Sequence, residues 1–412
     1  MFYERQSKNQ RNNYKQMLAL VGSLSNLFSD SDKPLLHYRA HENIFCKYFE
    51  ALNLSRDDCS ADAIKDKIGI GLKTWVGQDD QKIAEFGRLR PSYEHLSGIE
   101  LIKAIASYRN TRIQVTKNLH GLREMIYHII KRVPNAMKIY ECAFDYIDVE
   151  NIVIDEARGH ANNVYFSDGR HTYHFSKSKN TLYMIFEKMD FMDSFEVEIL
   201  DDPFEVLKQL LLHEPCKALT RTIDETPARQ LCLRLYNVLN DGTKFVPQRS
   251  GLNQWNAKGR KRDENELYIA YLAKDRERDE TFFPPRDTPF TLLLPDGTSM
   301  SAKVCQGAFT KVRQEMYNKM TDREKEIEDS RTLVGKSIMS NPNKTLGKWL
   351  LRDVFEVPVG TLITYDMLCQ FGVDSVIFTK ISNNQYSVDF APLGTYERMY
   401  GEKDLSTEHD SD

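Results

Sequence analysis

Residues 57–86, DDCSADAIKDKIGIGLKTWVGQDDQKIAEF, bring acids, glycines and a lysine together at spacings that suit phosphate chemistry. In KIGIGLKTW, Ile68, Ile70 and Leu72 alternate with Gly69, Gly71 and Lys73, the period-two pattern of a strand. One face is apolar and the other bare except for Lys73. Glycine weakens a strand, so the pair points to something large approaching the backbone. Upstream lie Asp57, Asp58 and Asp62. Downstream, Asp79 or Asp80 is placed to cap a short helix in which Gln81 and Glu85, at i and i+4, share a face. An acid, a lysine from the adjacent strand and a second acid from the next helix are what metal-assisted phosphodiester hydrolysis needs. Carboxylates hold a hard cation such as Mg²⁺, which keeps some of its waters. The cation acidifies one water and stabilises charge developing on the phosphate. The lysine positions or activates the nucleophile. The same pattern also describes a buried glycine-rich strand with a snorkelling lysine, followed by a capped helix.

The stretch resembles the core of the PD-(D/E)XK restriction endonucleases, with Asp62 in the position of the first acid and Lys73 as the lysine. Two departures stand out: Ala61 replaces the usual proline, and Gly71 stands where the second acid belongs. Some enzymes of this family move that acid to the following helix, which makes Glu85 the expected substitute and Gln81 its rival. The resemblance thus implies Asp62 and Glu85 as metal ligands. Glu42, in HENIFCKYFEAL, resembles the helix before the first acid and is an accessory candidate.

The elements that would position these groups have ample chain. The 412 residues suit two or three domains, and 28% charged with 41% hydrophobic residues is ordinary for a soluble protein. No run of about 18 apolar residues is present to span a bilayer. The start, MFYERQSKNQRNNYK, is too polar for a signal peptide. Cysteines 46, 59, 142, 216, 232, 305 and 369 form no CxxC pair and read as reduced cytosolic thiols. A net charge of −4 averages over any local basic patch.

Along the chain, residues 10–28 and 40–53 predict amphipathic helices, the second carrying Glu42. A helical region from HLSGIELIKAIASYRNTRI is expected to reach about residue 132, with Arg109, Arg112, Lys117 and Arg123 on a solvated face or against phosphate. Strands follow from Lys138, with an Asp168-Gly169 hairpin. His171 and His174 there lack a third ligand at metal spacing. SKSKNTLYMIFEKM puts Lys177, Ser178 and Lys179 at the start of an apolar helix, a basic helix start suited to phosphate. Another helix ends near His213. EPCKALTRTIDETPAR, 214–229, reads as a connection, and LCLRLYNVLN as a helix ending it or opening the next domain.

Beyond it come short strands and turns: TKFVPQ, ELYIAYLA, FTLLLPDGTSMSAKVCQ, LITYDML, VDSVIFTKIS and QYSVDFA, with TDREKEIE as a solvated helix. Together they predict a barrel or sandwich. Within it, Arg249, Lys258, Arg260, Lys261 and Arg262 are interleaved with Asn253, Gln254, Trp255 and Asn256. Lys and Arg neutralise phosphates, while Asn, Gln and Arg offer paired hydrogen bonds to base edges. A flexible basic loop has the same composition. SGLNQWNAKGRKRDENELYIAY, GKWLLRDVFEVPVGTLITYDML and VIFTKISNNQYSVDF resemble, over roughly 245–392, the C-terminal DNA-binding domain of NgoFVII-type restriction endonucleases, a B3-like pseudobarrel that grips the major groove. That enzyme type carries a phospholipase D-like nuclease with an HxKxxxxD signature, which does not occur here.

LVGKS at 333–337 lacks the glycine a Walker A needs, and no HExxH, GxSxG or dinucleotide motif is present, so no nucleotide cofactor is expected. The expected class is multidomain α+β: an α/β PD-(D/E)XK-like nuclease over 1–215, a connection over 216–239, a B3-like reader over 240–400 and an acidic disordered tail over 401–412. The resemblances imply a Mg²⁺-dependent restriction endonuclease in a prokaryotic cytoplasm, cutting double-stranded DNA to 5′-phosphate ends as a homodimer, with no membrane partner. A nuclease requiring methylated cytosine, and a DNA-binding regulator with an inactive nuclease fold, remain open.

Overall fold

The computed structural model of the protein describes residues 1–54, 59–160, 162–213, 229–253, 263–309 and 311–401. Apart from residues 118–120, which group with the second, a first compact unit reaches residue 224 and a second begins at 225. The expected α+β, multidomain class holds, with a mixed-sheet α/β region first and a pseudobarrel second. Residues 216–228 of the expected connection and 402–412 of the expected tail lie outside the described residues.

The first unit opens with the helix Lys8–Ser23, closed at its start by a Ser7–Gln10 capping box, and the helix Tyr38–Phe49. Strands β1 (Leu52–Asn53), β2 (Ala63–Lys65), β3 (Ile68–Val76) and β4 (Asp80–Glu85) follow, then the helix Gly98–Leu119. Next come β5 (Glu124–Val133), β6 (Ala136–Ala143), β7 (Val153–His160), β8 (Asn163–Ser167), β9 (Thr172–Ser176), β10 (Thr181–Ile185), β11 (Asp190–Glu196) and the helix Pro203–His213. One sheet runs β1-β2-β3-β5-β6-β11, with β3 and β5 parallel; the second runs β4-β10-β9-β8-β7 and is antiparallel throughout.

The alternation in β3 is correct, but its second face is not bare. A Cβ on Gly71 would lie 2.9 Å from Tyr127 and 3.0 Å from Phe144, whose rings stack at 4.1 Å. What approaches the glycines is therefore the protein's own core. Ile68, Ile70 and Leu72 pack oppositely, on Tyr14, Phe45 and Phe49 of the N-terminal helices. Gly71→Ala is expected to destabilise the fold by about 1–3 kcal/mol through overpacking, read from urea unfolding.

Four local expectations are corrected. The predicted helix with Gln81 and Glu85 is strand β4, paired with β10; no helix follows Asp79 or Asp80 to be capped. The helical region ends at Leu119, with Gly121 at φ +59°, and the β-branched run after it becomes β5. The apolar helix after Lys179 is strand β10, so Lys177 and Lys179 sit on the β9–β10 turn. LCLRLYNVLN supplies strands, the alternating Leu231 and Leu233 being buried in the barrel wall.

Those strands open the second unit: β12 (Gln230–Arg234), β13 (Asn237–Val238), β14 (Lys244–Phe245), β15 (Ile269–Ala270), β16 (Pro289–Leu293), β17 (Ser299–Gly307), β18 (Gly335–Ser340), β19 (Val373–Ser382) and β20 (Gln385–Pro392). Seven make one sheet in the order β12-β19-β20-β16-β17-β18-β15, and its end strands approach each other to leave a nearly closed barrel. Only the β16–β20 pairing in it is parallel. The interior is aromatic, with Phe283, Phe290, Phe378 and Tyr386 in mutual contact. TDREKEIE is helical as expected, but YDML of LITYDML belongs to the helix Tyr365–Phe371.

Candidate functional site

Where β2 stops pairing with β3, Asp62 continues the contact with its side chain: Leu72 N–H donates to Oδ2 at 2.7 Å, and the Asp62 N–H donates to the Ile70 carbonyl at 2.9 Å. Lys73 is the next residue along β3. Burial raises the Asp62 pKa above its usual 3.8, opposed by the charge of Lys73, the Leu72 N–H and Arg39. Burial lowers the Lys73 pKa below 10.5; Asp62 and Glu42 oppose this, and Lys82 and Arg109 add to it. Each charge thus opposes the neutralisation that burial favours in the other.

Glu42 joins them from the Tyr38–Phe49 helix. It is buried, pairs with Arg39 at 3.0 Å, and its charge reaches Lys73. Cys46, one turn further along, has its thiol pushed up to about 12 by burial and by the charges of Glu42 and Asp62 together. Glu85, in contrast, lies exposed on β4, paired with Lys82, and Gln81 donates to the Gln78 carbonyl at 3.1 Å. The charges of Asp62, Glu42 and Lys82 thus all reach Lys73. Among the described residues no three carboxylate, imidazole or thiol groups gather at metal-binding range.

Arg109 was a candidate for a solvated face, but it is buried over the Phe144 ring and donates to the Asp145 carbonyl at 2.6 Å. His171 and His174 serve separate partners: Asp145 at 3.4 Å and Asp80 at 3.3 Å.

The Glu42 helix is held by a polar chain that no spacing in the sequence announces. His128 on β5 lies directly opposite Glu141 on β6, and its Nδ1 donates to the Glu141 carboxylate at 3.0 Å. His128 Nε2 meets the Tyr14 hydroxyl at 3.1 Å, and that hydroxyl meets His41 Nε2 at 2.9 Å. The Tyr3 N–H donates to both Glu141 oxygens. His41 precedes Glu42, so this chain fixes the helix turn that carries the second acid. Burial, with the nearby His128, holds the His41 pKa well below 6.5. A folded-state pKa below the unfolded one means the unfolded chain binds more protons in acid. Stability from this group is then complete above about pH 6.5 and falls as pH drops through the interval down to the folded pKa, by up to about 1.4 kcal/mol per pH unit. Urea midpoints at successive pH values should follow that slope, and His41→Gln should flatten it.

In the second unit, Asn253 does not face open groove. Its Oδ1 accepts the Ile363 N–H at 2.7 Å, and its Nδ2 donates to the Ile363 and Pro247 carbonyls at 3.0 and 3.1 Å. This amide is occupied by the fold rather than offered to a base edge, which corrects its expected role. Asn253→Ala is expected to cost about 1–3 kcal/mol, measured as a lowered thermal midpoint; a base-reading amide would instead leave the midpoint unchanged. Arg249 is exposed on the turn just before it. Gln254, Trp255, Asn256, Lys258, Arg260, Lys261 and Arg262 lie outside the described residues. The chain is pinned on either side of them: at Asn253, and at Glu264 and Asn265, whose oxygens accept from Arg352 at 2.9 and 3.0 Å. Arg352 also donates to the Val357 carbonyl at 2.7 Å. Its role was not visible in GKWLLRDVF, because the partners that tie it to residues 264 and 265 lie almost ninety positions away.

Among the described residues no helix is long and apolar enough to cross a membrane, and the cysteines are unpaired. No curated protein matches the chain. Residues 230–382, β12 through β19 of the barrel, match the family model of the NgoFVII C-terminal B3-like DNA-binding domain.

Proposed function

We propose that the protein is a Mg²⁺-dependent endonuclease of double-stranded DNA, similar to restriction enzymes, in which the second unit holds DNA and the first hydrolyses a phosphodiester bond. The charges of Asp62 and Glu42 acting on Lys73, in a chain that also carries a match to this DNA-binding domain, carry the reading. When bound, Mg²⁺ would supply an acidified water and charge stabilisation at the phosphate. Asp62 and Glu42 would hold it. Asp62 is held in position by the Leu72 N–H, and a dication would favour the charged form that burial disfavours. Lys73, with its lowered pKa, would orient the attacking water and accept its proton. One such centre cuts one strand, so a double-strand break requires a homodimer or two successive nicks. Glu85 and Gln81 remain alternative donors if β4 shifts when DNA binds.

Plasmid, methylated and unmethylated, incubated with Mg²⁺ or EDTA tests this. Mg²⁺-dependent cleavage of unmethylated plasmid supports a conventional restriction enzyme, and cleavage of methylated plasmid alone supports a modification-dependent one. Gly71 at the usual acid position, and no gathering of three ligands among the described residues, favour a second reading, a DNA-binding regulator with an inactive nuclease fold. Absence of Mg²⁺-dependent cleavage on either plasmid supports that reading.

A further inference from the structure

On one face of the second sheet, directly opposed residues form a lateral row: Lys82 on β4, Tyr183 on β10, His174 on β9 and Tyr165 on β8. Opposed residues in neighbouring strands project to the same side. The opposite face carries Phe166, Tyr173, Phe175, Leu182 and Met184, all buried, so the row lies on the side away from that core. Its rings meet along the row: His174 stacks on Tyr183 at 4.4 Å with planes 6° apart, and contacts Tyr165 at 4.9 Å with planes 33° apart. The imidazole is buried between them. The two tyrosines are half-buried, and neither hydroxyl is a buried atom lacking a partner.

Stacked rings alone would only stiffen a sheet. Charge adds a second observation. The acids beside the row are matched within the sheet, Glu85 by Lys82 and Asp80 by His174. Lys177 and Lys179, both exposed on the adjoining β9–β10 turn, pair with no carboxylate among the described residues. Lys179 is close enough for its charge to act on His174, within the row, and Lys82, at the β4 end, acts on Lys73. The row therefore ends toward the candidate catalytic position, and the net-positive turn adjoins its middle, where β9 passes into β10.

We propose that this face binds the sugar–phosphate backbone of duplex DNA, with Lys177, Lys179 and the Tyr165 and Tyr183 hydroxyls donating to phosphate oxygens on the strand that leads to Lys73. The surface takes its ligand from the nuclease reading, but its test does not require cleavage. The full chain, titrated with a labelled random-sequence DNA duplex in EDTA across a salt series, is compared with K177A/K179A and Y165F/Y183F. Removing two lysine–phosphate contacts should weaken binding at low salt and reduce the log–log salt slope by about 2. Y165F/Y183F should weaken binding roughly threefold to tenfold with the slope unchanged, since no charge is lost. The lysine pair lies on an exposed turn, so its variant is expected to unfold like the parent and provides a readout independent of the rings. Affinities and slopes like the parent's in both variants would overturn the proposal, as would weakening seen with an RNA duplex and not with DNA. A parent that cuts DNA, with variants that bind unchanged, would remove this surface and leave the nuclease reading. A parent that cuts nothing, with variants that bind weakly, would do the reverse.

Discussion

Lys73→Ala is expected to slow DNA cleavage by about 10²–10⁴-fold, the usual contribution of a positioned general base. Its affinity for duplex DNA in EDTA should stay within about twofold of the parent's, because the B3-like unit is untouched. Lys73→Arg sharpens the test. Arginine keeps the positive charge but stays protonated at any working pH. If Lys73 accepts a proton, the arginine variant fails as badly as the alanine one. If it only holds the phosphate, the arginine variant keeps part of the rate. The parent's rate should rise with pH and level off below the ordinary lysine value of 10.5, since burial, Lys82 and Arg109 outweigh Asp62 and Glu42. A Lys73→Ala enzyme that cuts at the parent's rate would take this residue out of the mechanism.

Glu141→Ala should produce the largest loss of stability, about 2–6 kcal/mol, at about 1–3 kcal/mol for each of the two buried donors it leaves unsatisfied. Two donors, His128 Nδ1 and the Tyr3 N–H, would be left without an acceptor in a position with no solvent access. Glu141→Gln retains one acceptor oxygen and should recover a large part of the loss. Urea unfolding of the first unit measures both. A Glu141→Ala midpoint equal to the parent's would show that the polar chain does not hold the helices to the sheet. An intermediate variant, folded but loosened, should also cleave more slowly, since His41 and Glu42 share one helical turn.

The sequence was informative wherever one periodicity could be read without competition. β3, the Asp168-Gly169 hairpin and the strands ending the barrel all declared themselves by alternation bounded by turn residues. β4 did not, because over six residues the i and i+4 positions share a face in a helix and also in a strand. β12 was hidden by leucine, a strong helix former whose alternation here records the barrel wall. That Asp62 and Lys73 lie near enough for their charges to act on each other was legible because both residues come from one hairpin. The closeness of Glu42 to Lys73 was visible only through resemblance. The Tyr14–His41–His128–Glu141 chain draws on two helices and two strands, and its only local trace, a histidine facing a glutamate, requires the β5–β6 register to be known first.

The ring pair over Gly71 also restricts how such a centre could be altered. An aspartate or glutamate introduced at that position would have to evict Tyr127 and Phe144 before it could reach a cation. The simplest repair of the missing acid is therefore sterically closed, and any second carboxylate must be delivered by another element, so engineering of catalysis in this scaffold should begin with the Tyr38–Phe49 helix and not with the strand.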